Sequence, residues 1–419
     1  MAAPADTPLD VVVIGGGIVG VCAAAALAEA GRDVTVIDRS GICEETSAGN
    51  AAAFAFSEVL PLAHKGMARQ VPRWLMDPLG PLSIPPAYLP RLMPWLWRFW
   101  RAGRPARRAA SLAAQAALMR LAESEWAALM QRSASGHMLR EDGCLELYES
   151  AAEFAAAQAG WDERARFGIA FRHVAGADLA ALQPGLSERF VRGTFVPGWK
   201  TVADPQALGK AVWAHAEAQG ARLRRTAVDR LQREGDCVAV TTGDGRRVLA
   251  RALVVAAGAW SHRLARQLGN RIPLETERGY NTTLPVDAFD LRRQLVFSRH
   301  GFVVTPLASG LRVGGAVELG GLERPPNYAR ARAMLDKAQR FLPGLKTEGG
   351  QQWMGYRPSL PDSLPVIDRV PGPGTVVYAF GHGHLGLTQA AATGRLVCAL
   401  VAHQEPAIDL APFSAGRFA

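Results

Sequence analysis

Asp10-Val-Val-Val-Ile-Gly-Gly-Gly-Ile-Val-Gly20 is the stretch whose reading decides the fold. A short apolar run ends in three glycines, the texture of a strand buried on both faces of a parallel sheet. Residues 18–30 are Ala-rich and read as a helix, with Gly31 where a left-handed C-terminal cap belongs. Asp33-Val-Thr-Val-Ile37 is the next strand, which completes one strand–helix–strand unit. In Gly15-x-Gly17-x-x-Gly20 the first glycine permits a tight turn and the second lets the backbone approach a pyrophosphate. The third allows the helix to pack closely on the strand. The helix start, Ile18 and Val19, offers free N–H groups and partial positive charge to phosphates. Asp38 ends the second strand, where a carboxylate can accept hydrogen bonds from ribose hydroxyls. The register of all these parts predicts an adenine dinucleotide, and the fingerprint alone leaves NAD and FAD open. The small polar loop Glu45-Thr-Ser47-Ala48-Gly49-Asn50 suits a second approach of backbone to a long ligand, and equally suits an ordinary loop.

Outward from this unit, the chain has 419 residues, of which 49% are hydrophobic and 20% charged. That excludes a disordered tail and fits two domains or one interleaved unit. No run reaches the roughly 18 apolar residues of a membrane-spanning helix. Met1 to Pro8 lacks the basic and apolar regions of a secretion signal, so a cytoplasmic location is expected. The five cysteines (Cys22, Cys43, Cys144, Cys237, Cys398) are scattered and form no CxxC or Cys/His cluster, so neither disulfides nor a metal site is expected. Residues 106–132, 207–219 and 387–403 read as helices, and 222–231, 248–256 and 375–380 as strands. Residues 294–317 alternate around a Ser309-Gly310 turn, which suggests antiparallel strands. Parallel segments at both ends enclosing an antiparallel middle predict two domains that the chain enters more than once.

Val12-Val-Ile-Gly-Gly-Gly-Ile-Val-Gly20, Thr46-Ser-Ala-Gly-Asn50, Ala203-Asp-Pro205, Ala256-Ala-Gly-Ala-Trp-Ser261, Gly355-Tyr-Arg-Pro358 and Gly381-His-Gly-His-Leu-Gly386 occur in that order. This set, spanning nearly the whole chain, resembles the D-amino acid oxidase/glycine oxidase superfamily of FAD amine oxidoreductases. Within it, the likeness is greatest to the bacterial D-amino acid dehydrogenase branch. The resemblance implies an α/β protein in which a Rossmann-like FAD-binding domain (9–57, 198–268, 355–411) is interleaved with an α+β substrate domain built on an antiparallel sheet (58–197, 269–354). It implies FAD bound non-covalently, because the C-terminal loop holds no cysteine and Cys398 lies within the helix. Cofactor contacts are then expected from Gly15, Gly17, Ile18, Val19, Gly20, Asp38, Arg39, Ser47, Ala48, Gly49 and Asn50. Val228, Ala257, Gly258, Gly381, Gly383, His384, Leu385, Gly386 and Thr388 complete that set. The glycines of the C-terminal loop let the chain approach a flat ring, and the helix after it points its positive end at charge developing there. His382 and His384 lack a third ligand nearby in sequence, so no metal is expected.

The implied reaction is oxidation of an amino acid, D-configured in that branch, to an imino acid that water hydrolyses to a 2-oxo acid. Such a site needs a carboxylate clamp, and Arg357 matches the family position for it; an arginine fork is the natural partner of a carboxylate. Tyr280, in Glu277-Arg-Gly-Tyr280, is expected to add a hydroxyl or cover the pocket, beside Tyr356. His382 either faces the substrate across the flavin or supports its loop. Proline, hydroxyproline or N-methyl amino acid substrates would use the same clamp, and an oxygen-using oxidase stays open.

The balance of 47 Lys+Arg against 38 Asp+Glu is basic and uneven. No acid occurs from Pro78 to Ala122, whereas Arg91, Arg98, Arg101, Arg104, Arg107, Arg108 and Arg120 do. Residues 88–108 include Pro94-Trp-Leu-Trp-Arg-Phe-Trp-Arg101. On a helix, Arg91, Arg98, Arg101, Arg104 and Arg108 form one stripe, with Trp95, Leu96, Phe99 and Trp100 largely away from it. A basic face with Trp and Phe is the composition of a helix lying on a membrane surface. The expectation is peripheral contact with the inner face of the cell membrane and electron transfer to a membrane quinone. An RNA-binding, tRNA-modifying flavoprotein is the competing reading. Because the basic residues sit in one short segment without a recognisable RNA-binding module, no nucleic acid is expected. A third reading, an NAD dehydrogenase, uses the same fingerprint.

Overall fold

The computed structural model describes residues 7–63 and 79–418. The first six residues of the N-terminal reading, Pro78 of the acid-free stretch and residues 64–78 of the segment 58–197 lie outside it.

Leu9–Ile14, Val34–Asp38, Arg222–Arg225, Arg247–Val255 and Thr375–Phe380 form the parallel core of the first sheet. The apolar side chains of the central strands are shielded from both sides, as a run such as Val11-Val-Val13 requires, whereas Leu223 on the edge strand Arg222–Arg225 is exposed. Val366–Val370 pairs antiparallel on one edge, and the hairpin Val228–Glu234/Cys237–Thr242 extends the other end of Arg247–Val255. The stretch 222–231, read as one strand, is two. The chain turns at Thr226, whose N–H donates to Asp38 O, and leaves the parallel sheet there.

Helix Ile18–Glu29 lies between Pro205–Ala218 and Gly386–Val401. Its crossing with the C-terminal helix is backbone against backbone: a Cβ on Gly394 would stand 2.5 Å from Cys22 O. Pro205–Ala218 starts on Asp204, whose carboxylate accepts from the amides of Gln206 and Ala207, a capping worth about 1 kcal/mol.

The second sheet runs Gln351–Ser359, Glu275–Leu284, Gly310–Leu319, Phe302–Leu307, Gln294–Phe297, Cys144–Tyr148, Arg192–Val196 and Arg172–Val174. It is antiparallel except where Gln294–Phe297 meets Cys144–Tyr148 and Gly310–Leu319 meets Leu82–Ser83. The Ser309-Gly310 turn forms, and Gly310 is required there: φ is +136° and a Cβ would overlap Leu284 O. Helix Ala329–Phe341 covers one face of this sheet through Ala331, Met334, Ala338 and Phe341. Gln351–Ser359, which straddles the boundary placed at 355, lies in the second sheet along its whole length.

The basic aromatic segment folds as Leu89–Ala102, breaks at Gly103 and Arg104, and continues as Pro105–Arg132. Pro90 is in the first turn, where proline is tolerated, and Pro94 is accommodated inside the helix. The expected single arginine stripe is therefore interrupted. Arg108, past the break, forms a two-pronged pair with Glu163 at 2.6 and 2.5 Å. Leu92 and Trp95 pack inward on Leu319, whereas Met93, Trp97 and Trp100 are more than half exposed, at 52%, 55% and 54%. Trp100 thus lies in solvent with the Arg104 guanidinium 5.3 Å from its ring centre, and not away from the arginines as the helical spacing suggested.

Candidate functional site

A cavity of about 930 Å³ runs from the carboxyl ends of the first sheet's strands to the face of the second. At its first end Gly15 takes φ +114°, and a Cβ there would overlap Ala256 O, so the turn closes against the neighbouring strand. The helix behind it begins at Gly17, with no capping side chain and no acid in its first turn. Ser47 Oγ accepts from Ile18 N at 3.0 Å and ties the small polar loop to this helix end. Asp38 is already engaged: Oδ2 accepts from Gly16 N at 2.7 Å, and Oδ1 from Ser40 N and Gly41 N at 2.8 Å. It shapes the glycine turn, and Oδ2, with a single protein donor, keeps acceptor capacity for a ligand hydroxyl at a residue that lines the cavity. Arg39 stacks 4.0 Å over Trp260 and is held by Glu45 at 2.7 Å, which raises its pKa.

The far end is walled by Gln351–Ser359 and Glu275–Leu284. Arg357 crosses Gly279, donates through Nη1 to Ala316 O at 3.0 Å, and has no carboxylate within ion-pair distance among the described residues. Burial lowers its pKa and nearby Glu277 opposes that. The Trp353 ring occupies the space where Gly49 and Gly355 would carry a Cβ. Gly49 thus serves first to admit an indole. Asn281 donates to Gly49 O at 2.8 Å, and Arg312 donates to Asn50 O at 2.6 Å and Ala48 O at 3.3 Å, fastening the same loop. Desolvation brings Arg312 down to about 10.

Of the residues singled out from sequence, the cavity brings together Gly15, Gly17, Ile18, Val19, Asp38, Arg39, Ser47, Gly49, Asn50, Val228, Ala257 and Gly258. Arg357, His382, Gly383, His384, Leu385 and Gly386 join them from the C-terminal side. Four do not line it. Gly20 packs under the turn, where a Cβ would overlap Gly15 O. Ala48 offers only its carbonyl, and to Arg312. Gly381 is small because Leu360 presses on it. Thr388 accepts from Ala55 N at 3.1 Å and donates to Ala53 O at 3.2 Å, so its hydroxyl clamps strand Ala53–Phe54 to the C-terminal helix.

Tyr280 is a correction of another kind. It is 1% exposed, and its hydroxyl bonds to Glu318 and accepts from Asn327 N. Glu318 in turn pairs with the fully buried Arg278 at 3.1 Å. Tyr280 is among the residues lining the cavity, but its hydroxyl is engaged on the side of helix Ala329–Phe341. His382 resolves toward loop support. Thr393 Oγ1 donates to Gln389 O, so it accepts from His382 Nε2 at 3.0 Å, and burial pushes the imidazole pKa down to about 3. His382 is a neutral Nε2–H tautomer tethered to the helix.

Sequence reading missed Glu277, Asn281, Arg312 and Trp353 on the second sheet, and the group Glu58, Glu146 and Arg164 where the cavity meets helix Ala151–Arg166. Strand alternation is the signal that finds the first set: Glu277, Gly279 and Asn281 share one face.

The fit to a flavin dinucleotide rests on the helix end at Gly17, free of acidic residues in its first turn, the glycine turn, and two buried acceptors in the wall, Asn281 Oδ1 and Gln294 Oε1, that have no partner among the described residues. Fold and cavity together define an FAD-type two-sheet oxidoreductase. The chain belongs to the FAD dependent oxidoreductase family, whose model matches residues 10–400. It is 36% identical over 416 residues to a D-amino-acid oxidase of Bradyrhizobium diazoefficiens, covering 97% of this chain and 98% of that one. It is 33% identical over 427 residues to a D-amino acid dehydrogenase of Methylobacterium radiotolerans, covering 98% and 100%. Among solved structures, L-proline dehydrogenase from P. horikoshii superposes with a TM-score of 0.76 at 20% identity, covering 99% and 98%. Glycine oxidase from Geobacillus kaustophilus superposes at 0.75 with 22% identity, covering 98% and 99%. The protein is an FAD-dependent oxidoreductase. Among the described residues no helix is long and apolar enough to cross a membrane.

Proposed function

We propose that this protein oxidises the Cα–N bond of an α-amino acid, with preference for the D enantiomer, to an imino acid that water converts to a 2-oxo acid. The observation that carries the reading is Arg357, a half-buried guanidinium in the cavity wall with no carboxylate within ion-pair distance among the described residues. A partly desolvated cation without a direct ion-pair partner is stabilised when a ligand supplies one. The names of the full-length relatives support the D preference. In this reading segments 9–57, 198–268 and 360–411 hold the cofactor, non-covalently, and segments 58–197 and 269–359, with the boundary moved past strand Gln351–Ser359, shape the substrate pocket. FAD, when bound, supplies the acceptor for the hydride leaving Cα. Arg357 fixes the carboxylate, and with it the direction in which Cα–H points. Trp353 and the loop at Gly49 and Asn50 exclude water.

The test is an anaerobic visible spectrum during titration with D-amino acids, L-amino acids and prolines. Flavin bands that bleach with D-amino acids are expected. Bleaching only by prolines or N-methyl amino acids moves the substrate within the family, and no bleaching by any of them overturns the reading.

The exposed stripe Met93, Trp97 and Trp100, flanked by Arg98 and Arg104, supports docking on an anionic bilayer surface and electron delivery to a quinone there. Wild-type protein is expected to cosediment with anionic vesicles at low salt. The double variant Trp97→Ser/Trp100→Ser should lose most of that binding while keeping its flavin spectrum. Wild-type protein that stays in the supernatant refutes the docking. Bleached enzyme that reoxidises faster with dissolved oxygen than with a soluble quinone refutes the acceptor.

A further inference from the structure

Glu277 is 7% exposed, lines the cavity, and makes no side-chain hydrogen bond or ion pair among the described residues. A buried carboxylate in that condition needs a partner from outside the chain. Its position says which partner. Glu277 and Arg357 are directly opposed across the antiparallel pair Glu275–Leu284 and Gln351–Ser359. The Arg357 guanidinium folds over Gly279, the next residue on the same face of Glu277's own strand. It takes its protein contact from Ala316 O on the strand beyond. The two side chains therefore offer neighbouring negative and positive groups without closing on each other. An α-amino acid carries the complementary pair, ammonium beside carboxylate. His384, which lines the cavity and is acted on by the charges of Glu277, Glu58 and Arg357, completes the wall.

We infer that Glu277 binds the substrate's α-ammonium while Arg357 binds its carboxylate, and that Glu277 accepts the proton the nitrogen must lose before oxidation. In that step an N–H bond breaks, its electron pair stays on nitrogen, and the proton forms an O–H bond on the Glu277 carboxylate. The free amine lone pair then assists departure of the Cα hydride. This rests on the proposed carboxylate role of Arg357. The charged and titratable groups that interact electrostatically with Glu277 are Arg357 from the adjacent strand, His384 from the C-terminal loop, and Glu275 on its own strand.

The test uses FAD-loaded Glu277→Gln and three probes: D-alanine, D-proline and propionate, which has the carboxylate without the amine. Affinity is read from perturbation or bleaching of the flavin bands. Glu277→Gln is expected to weaken D-alanine and D-proline by roughly 10- to 100-fold, the scale of a buried charge-assisted hydrogen bond, and to leave propionate unchanged. The pH limb of flavin reduction should move alkaline, toward the free amine's own pKa, which a merely structural residue would not produce. Glu277→Asp keeps the carboxylate and should retain most of the discrimination. An unchanged ratio of amino acid to propionate affinity in Glu277→Gln, or a loss in Glu277→Asp as large as in Glu277→Gln, overturns the inference. Propionate binding that survives Arg357→Met overturns instead the reading of Arg357 on which it rests.

Discussion

Arg357→Met is expected to raise the amino acid concentration for half-maximal flavin bleaching by about 100- to 1,000-fold, with FAD still bound. The magnitude follows from removing the charged half of a desolvated ion pair, a loss of about 3–5 kcal/mol at about 1.4 kcal/mol per tenfold. Methionine keeps the aliphatic stem, so the change isolates the guanidinium that lies over Gly279. FAD retention is expected because the glycine turn, the Gly17 helix end and Asp38 are at the opposite end of the cavity. Arg357→Lys should fall between, near a tenfold loss, since an ammonium keeps the charge but not the two-pronged geometry. Anaerobic titration of both variants is the measurement. Half-saturation in Arg357→Met within twofold of wild type would remove Arg357 from the site.

The parts legible in sequence are those whose chemistry is local. The strand–glycine–helix unit at 10–38 was readable because three glycines and one acid each answer a constraint within a few residues, and the Ser309-Gly310 hairpin because strand alternation brackets a turn. The C-terminal loop was readable for its glycines, but the role of Thr388 was not. Its partners, the backbone at Ala53 and Ala55, arrive from the far end of the chain. Tyr280 shows the cost of choosing a residue for its hydroxyl before settling which face it occupies. It is paired with Met354, not with Arg357, and both pack toward helix Ala329–Phe341, Tyr280 buried and Met354 half-buried. Glu277, three residues earlier and on the other face, was passed over because a lone acid in a strand carries no motif. Its meaning comes only from register with a strand some eighty residues later. The aromatic helix erred for the same reason. Helical spacing showed neither the break at Gly103 and Arg104 that interrupts the arginine stripe nor which tryptophans turn inward, which was set by Leu319 of the second sheet.

Gly20→Ala and Gly17→Ala, one turn apart, are expected to fail in different ways. A Cβ on Gly20 would overlap Gly15 O and stand 3.0 Å from Gly15 C, a backbone that cannot retreat because the turn is pressed on Ala256 from the other side. Overpacking commonly costs about 1–3 kcal/mol. Against fixed backbone on both sides the upper end or more is expected, so Gly20→Ala should lower the melting temperature of the apoprotein and reduce soluble yield. A Cβ on Gly17 meets only Ser47 Oγ, at 3.4 Å, which is ordinary contact, and φ there is −70°, open to any residue. The apoprotein of Gly17→Ala should therefore melt within a few degrees of wild type. Its Cβ stands, however, where backbone must approach the pyrophosphate, at the helix end that Ile18 opens to the cavity, so FAD affinity should fall about tenfold or more. The two readouts, apoprotein melting and the ratio of flavin to protein absorbance after gel filtration, separate the effects. If Gly17→Ala retains full flavin while Gly20→Ala loses it at unchanged apoprotein stability, the division of labour between these glycines is reversed.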